Sequence, residues 1–85
     1  MHYILEKYIN NITINNINDF ALKNNIILSK KEKTIIHDII KNHYMEILSG
    51  NDKPYIEFLS KKLEENNFNK IIALYNHYKT IYNKL

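Results

Sequence analysis

Three lysines, Lys30, Lys31 and Lys33, crowd the stretch Ser29-Lys30-Lys31-Glu32-Lys33. A serine followed three residues later by a glutamate is a capping box: the serine hydroxyl accepts from the glutamate amide, and the glutamate reaches back to the serine amide. The lysines then fall in the first turn of a helix. Free amides and cationic side chains together can hold phosphate there, so Lys30, Lys31 and Lys33 are candidate anion- or nucleic-acid-binding residues. A solvated face is the competing reading, since cations at a helix start oppose the macrodipole and all 12 basic residues are lysine.

The other reactive side chains form no constellation. His2, His37, His43 and His77 lack the one-turn spacing that puts two metal ligands on one helix face. His43 and Glu46 meet only if their turn is helical, and two groups do not make a metal site. Ser29, Ser49 and Ser60 have no identifiable base with a third group behind it. Glu64 and Glu65 are adjacent, so on a helix they point apart. Gly50 is the single glycine, which excludes a glycine-rich phosphate loop. The expectation is a non-enzymatic chain with no catalytic residues, no metal and no cofactor.

One further pattern suggests binding. Phe68, Ile71, Tyr75, Tyr78, Tyr82 and Leu85 recur at alternating intervals of three and four, a heptad-like seam. Such a seam buries against another helix, leaving tyrosine hydroxyls at the rim. The seam packs within the monomer or against a second copy, and Tyr75, Tyr78, Tyr82 and Leu85 are the candidate interface toward that copy or another protein partner. With Lys70, Lys79 and Lys84 interleaved, the same helix admits an alternative reading as a basic aromatic surface for nucleic acid.

The elements that must carry these residues are short helices. Eighty-five residues suffice for one domain, residues 1–85, and 45% hydrophobic content suits a globular one. Sixteen Ile, 14 Asn, no Val and no Arg describe a bias toward AT-rich codons, so abundant Lys and Asn are weak evidence for a nucleic-acid partner. The net charge of +3 is uneven, with an acidic segment over 44–67 between basic segments at 29–43 and 68–85. That arrangement suits internal complementarity as well as an anionic partner. Without cysteine there is no disulfide framework. No leader-like start or membrane-length apolar run is visible, which predicts a cytoplasmic protein without membrane partners.

Along the chain, Ile4, Leu5, Tyr8, Ile9 and Ile12 share one helical face. Thr13 is placed to cap a second helix with Ile14, Ile17, Phe20 and Ala21 inward, and Asn24-Asn25 end it, asparagine tolerating the left-handed conformation. Ile26-Ile27-Leu28 read as an extended, buried link into the helix that Ser29 caps, which frays near Asn42-His43. Residues 44–48 are ambiguous between helix and connector. Asp52 caps a fourth helix with Pro54 in its first turn. Asn66-Asn67 break the chain before a last helix from about Phe68.

The order of a short first helix, Ile14 to Leu22, Asn25-Ile26-Ile27-Leu28-Ser29-Lys30, an isoleucine-rich helix, a polar turn and two more helices resembles the YqfT-like family, small proteins of low-GC Gram-positive bacteria whose function is unknown. The resemblance implies a helical domain and supplies no catalytic residues. The stretch 13–40 also looks like the helix–extended loop–helix of SAP and LEM modules. Those modules bind DNA or DNA-associated partners and carry basic residues near the second helix, as Lys30, Lys31 and Lys33 would here. The fold expected is all-α, a compact bundle of four to five short helices with a core of Ile17, Phe20, Ile27, Ile36, Ile39, Leu59, Leu63, Ile71 and Tyr75.

Overall fold

Two capped helices and the link between them build the frame. The computed structural model describes residues 2–83, and side chains over 6–81. Among these residues the elements are α1 (His2–Asn10), α2 (Ile14–Lys23), α3 (Lys30–Leu48), α4 (Lys53–Lys62) and α5 (Glu65–Asn83). The fold is all-α.

Both α2 and α3 begin with reciprocal capping boxes. Glu32 N donates to Ser29 Oγ at 3.1 Å and Ser29 N donates to Glu32 Oε1 at 2.9 Å. Thr13 does the same with Asn16, at 3.1 and 2.9 Å. The second box escapes the usual pattern because asparagine replaces glutamate at the third position. α2 ends in a Schellman motif: Ile26 N donates to Ala21 O at 2.8 Å and Asn25 N to Leu22 O at 3.1 Å. Asn25 takes the left-handed conformation this needs, with φ of 61°.

The link leaves α2 extended, and its side chains alternate. Ile26 and Leu28 are buried at 1% and 6% exposure, while Ile27 is 79% exposed. The expected burial of all three is corrected by that alternation, since an extended segment on a surface turns every second side chain outward. Phe20 also leaves the expected core: it is 44% exposed, at the edge of the α2 stripe. Ile14 is likewise exposed.

The buried cluster joins Ile12, Ile17, Ala21, Ile26, Leu28, Ile36, Ile39, Leu59 and Leu63, with Ile35, Ile47, Phe68, Ile71 and Leu74 packed against it. α3 runs unbroken through Asn42-His43 to Leu48, so residues 44–48 are helical. Asp52 occupies the N-cap position of α4 without a side-chain capping bond, and Pro54 sits in the first turn as expected. α5 starts at Glu65, not near Phe68. The break falls at Leu63–Glu64, because Glu64 Oε1 accepts from Asn66 N at 3.0 Å and keeps Asn66 and Asn67 within the first turn.

Candidate functional site

Five of the seven expected site residues, Lys30, Lys31, Lys33, Tyr75 and Tyr78, have described side chains. The start of α3 already holds an anion, the carboxylate of Glu32. Glu32 is buried at 6% exposure, and its oxygens accept from Ser29 N, from Glu64 N at 2.8 Å and from Asn67 Nδ2 at 3.1 Å. Burial pushes the Glu32 carboxyl up, but the donors from Ser29, Glu64 and Asn67 outweigh it and hold its pKa below the usual glutamate value. Asn67 Nδ2 also donates to Ile27 O at 2.9 Å. One carboxylate and one amide thus tie the α2–α3 link to the α4–α5 turn. Lys30 and Lys31 are exposed and Lys33 half-buried around this point. Lys70 Nζ reaches Asn25 O at 3.2 Å, so it shares this end of the molecule with the three lysines and with Glu64, whose amide sits on Glu32.

The aromatic seam divides along α5. Phe68 and Ile71 pack on the core. Tyr75 is half-buried and donates its hydroxyl to Asp52 Oδ2 at 2.6 Å, and Lys79 Nζ meets the same oxygen at 3.0 Å. The Tyr75 bond, then Lys79, hold Asp52 below the usual aspartate value, while burial and then Asp52 push Tyr75 up. Asp52 thus fastens the middle of α5 instead of capping α4. Beyond that point Tyr78 is 48% and Ile81 44% exposed. The Tyr78 ring packs on Phe20 with centroids 5.8 Å apart. The Tyr82 side chain, Leu85 and Lys84 lie outside the described residues.

His43 and Glu46 do meet, at 3.2 Å, and Tyr55 completes the group. Its hydroxyl donates to Glu46 Oε2 and lies 3.1 Å from His43 Nδ1, with the two rings 4.8 Å apart. The Tyr55 bond and then His43 lower the Glu46 pKa, and the Glu46 bond raises that of Tyr55. No group of three or more metal-ligating side chains occurs among the described residues. His37 is used structurally, its Nε2–H donating to Ile12 O at 2.9 Å and binding the α1–α2 turn to α3.

Helix spacing adds a feature that no residue pattern announces. A cavity of about 420 Å³, open to solvent on one side, is walled by Ile12, Ile17, Ala21, Ile36, Ile39, Ile47, Leu59, Ile71, Ile72 and Leu74. Tyr8, Phe20 and Tyr78, which line it and are exposed, form its mouth. Asp52 and Tyr75 supply a charged, hydrogen-bonded corner, and Asn16, Tyr44 and Tyr55 also line the space. Helix α5 crosses this space, anchored toward one end by Asn67 and Lys70 and farther along by Tyr75 and Lys79.

No helix of the described residues is long and apolar enough to cross a membrane. Comparison of the chain with protein-family models, curated proteins and solved structures returned no match.

Proposed function

We propose that the chain is a non-enzymatic, cytoplasmic interaction module that binds a protein partner through the distal half of α5. The observation that carries this reading is the division of the aromatic seam: Phe68 and Ile71 are spent on the core, whereas Tyr78, packed on Phe20, and Ile81 stay exposed. Rigid tyrosines with an apolar body and a polar tip are the side chains that anchor interfaces. A helical partner laid along Tyr78 and Ile81 would continue the seam, and a second copy is one such partner.

Crosslinking and affinity capture from the native host, with wild type and Tyr78→Glu side by side, test the reading. A specific captured protein lost in Tyr78→Glu supports it; equal capture by both overturns it. Sedimentation equilibrium at tens of micromolar decides whether the partner is a second copy.

The nucleic-acid alternative has thinner support. The α3 start is neutralised by its own Glu32, Lys79 is paired with Asp52, and Glu64 lies at the lysine-bearing end.

A further inference from the structure

The cavity adjoins the distal α5 surface and shares Phe20 and Tyr78 with it at its mouth, and the cavity suits a small molecule. Pockets that hold such ligands are concave, mostly apolar, a few hundred Å³ or more in volume, and carry a few placed polar groups. This one has about 420 Å³ among isoleucines and leucines, a mouth bearing three aromatic rings and one charged corner. A cavity of about 150 Å³ takes up a benzene ring, so in proportion this one accommodates roughly 17 carbon-sized atoms. Most of the wall is branched aliphatic side chain drawn from all five helices, a surface that a flexible chain can follow.

The polar corner sets the head group. Asp52 faces the cavity, with Tyr75 Oη at 2.6 Å and Lys79 Nζ at 3.0 Å both on its Oδ2. The one cation at this corner is already matched, among the described residues, and the carboxylate would repel an anionic head. A hydroxyl can instead donate to it. We propose that the cavity is a binding site for a single aliphatic chain with a neutral hydroxyl head, of about 12 to 16 carbons by the same proportion. α5 forms its lid, and the Asp52–Tyr75–Lys79 contact receives the head.

Filling the cavity from the lid provides the control. Ile72 is a half-buried lining residue on α5, and Ile72→Trp places an indole in the space the chain would take. Ile40→Phe, at a lining residue on α3, is the second filler. The probe is N-phenyl-1-naphthylamine, whose fluorescence rises in apolar surroundings. Wild type is expected to bind it saturably, with dodecanol displacing it and dodecanoate at pH 8 at least tenfold weaker. Either filler should raise the melting temperature without ligand and weaken probe binding at least tenfold. Dodecanol should also raise the wild-type melting temperature with concentration, as any ligand of the folded state must.

Absence of saturable binding, or of a dodecanol-induced rise in melting temperature, overturns the proposal whether or not the fillers fold. A folded filler that keeps full affinity also overturns it. Dodecanoate binding as tightly as dodecanol overturns the assignment of the head group. None of these readouts depends on a protein partner, so the proposal can fail while the interaction reading survives, and the reverse.

Discussion

Replacing Glu32 tests the main polar joint of the fold. In Glu32→Ala, the amides of Ser29 and Glu64 and the side-chain amide of Asn67 lose their acceptor in a buried setting. A buried donor left unpaired costs about 1–3 kcal/mol, and water entering the space offsets part of that, so the expected loss is about 3–5 kcal/mol. Against about 4–13 kcal/mol in total, that removes at least about a quarter of the stability. Glu32→Gln keeps the shape and one acceptor oxygen but turns an NH2 group toward amide donors, for an expected loss of about 2 kcal/mol. Urea unfolding followed by circular dichroism, from pH 7 down to pH 3, reads both numbers. The folded pKa lies below the unfolded one, near 4.3. The carboxylate's contribution is therefore fully present above pH about 4.3 and is lost as pH falls through the lowered folded value. The gap between wild type and Glu32→Gln should be constant from pH 7 to about 5 and narrow below that. A loss under about 0.5 kcal/mol at pH 7, or a gap that ignores acid, would refute the assignment of Glu32 as the joint.

Other outcomes follow from the same contacts. Asn67→Ala removes the amide that bridges Ile27 O and Glu32, and urea unfolding should show about 1–2 kcal/mol lost. Thr13→Ala deletes the α2 cap, for about 1 kcal/mol by the same measurement. In a spectrophotometric titration, Tyr75 should deprotonate well above the normal tyrosine range, and Asp52→Asn should bring it down toward that range. Replacing Lys30, Lys31 and Lys33 together by Gln should leave binding to a mixed-sequence oligonucleotide at low salt unchanged; a reduced salt slope would favour the nucleic-acid alternative instead.

What the sequence disclosed was local, and what it concealed was distant. Ser29 and Glu32 are three residues apart, so their box is visible as spacing, and Asn25 declares its left-handed turn by residue type. Asn67 looks like a chain break beside Asn66 because its partners, Ile27 and Glu32, lie 40 and 35 residues away. Asp52 stands where a cap belongs, yet its carboxylate goes to Tyr75 and Lys79, which local spacing cannot reveal. Ile27 is as apolar as its neighbours, and only the extended backbone turns it out. The seam was legible as far as Ile71; where it parts from the core depends on how Asp52 holds Tyr75. The cavity has no sequence signature, since its lining is assembled from residues between Tyr8 and Tyr78 on all five helices.

The Schellman turn at Asn25 has a consequence for the order of folding. It closes the chain between α2 and α3 through contacts only three to five residues apart, so this hairpin can form early at little loop-closure cost. The bonds that seat α5 span 23 to 45 residues and must wait for a longer search. In a transition state of that kind the hairpin is structured and α5 is not. Substitutions at Thr13 should then slow refolding, while those at Asn67 should chiefly accelerate unfolding. The resistance of the native state to opening would therefore rest with α5, the last helix to arrive and the one that covers the cavity.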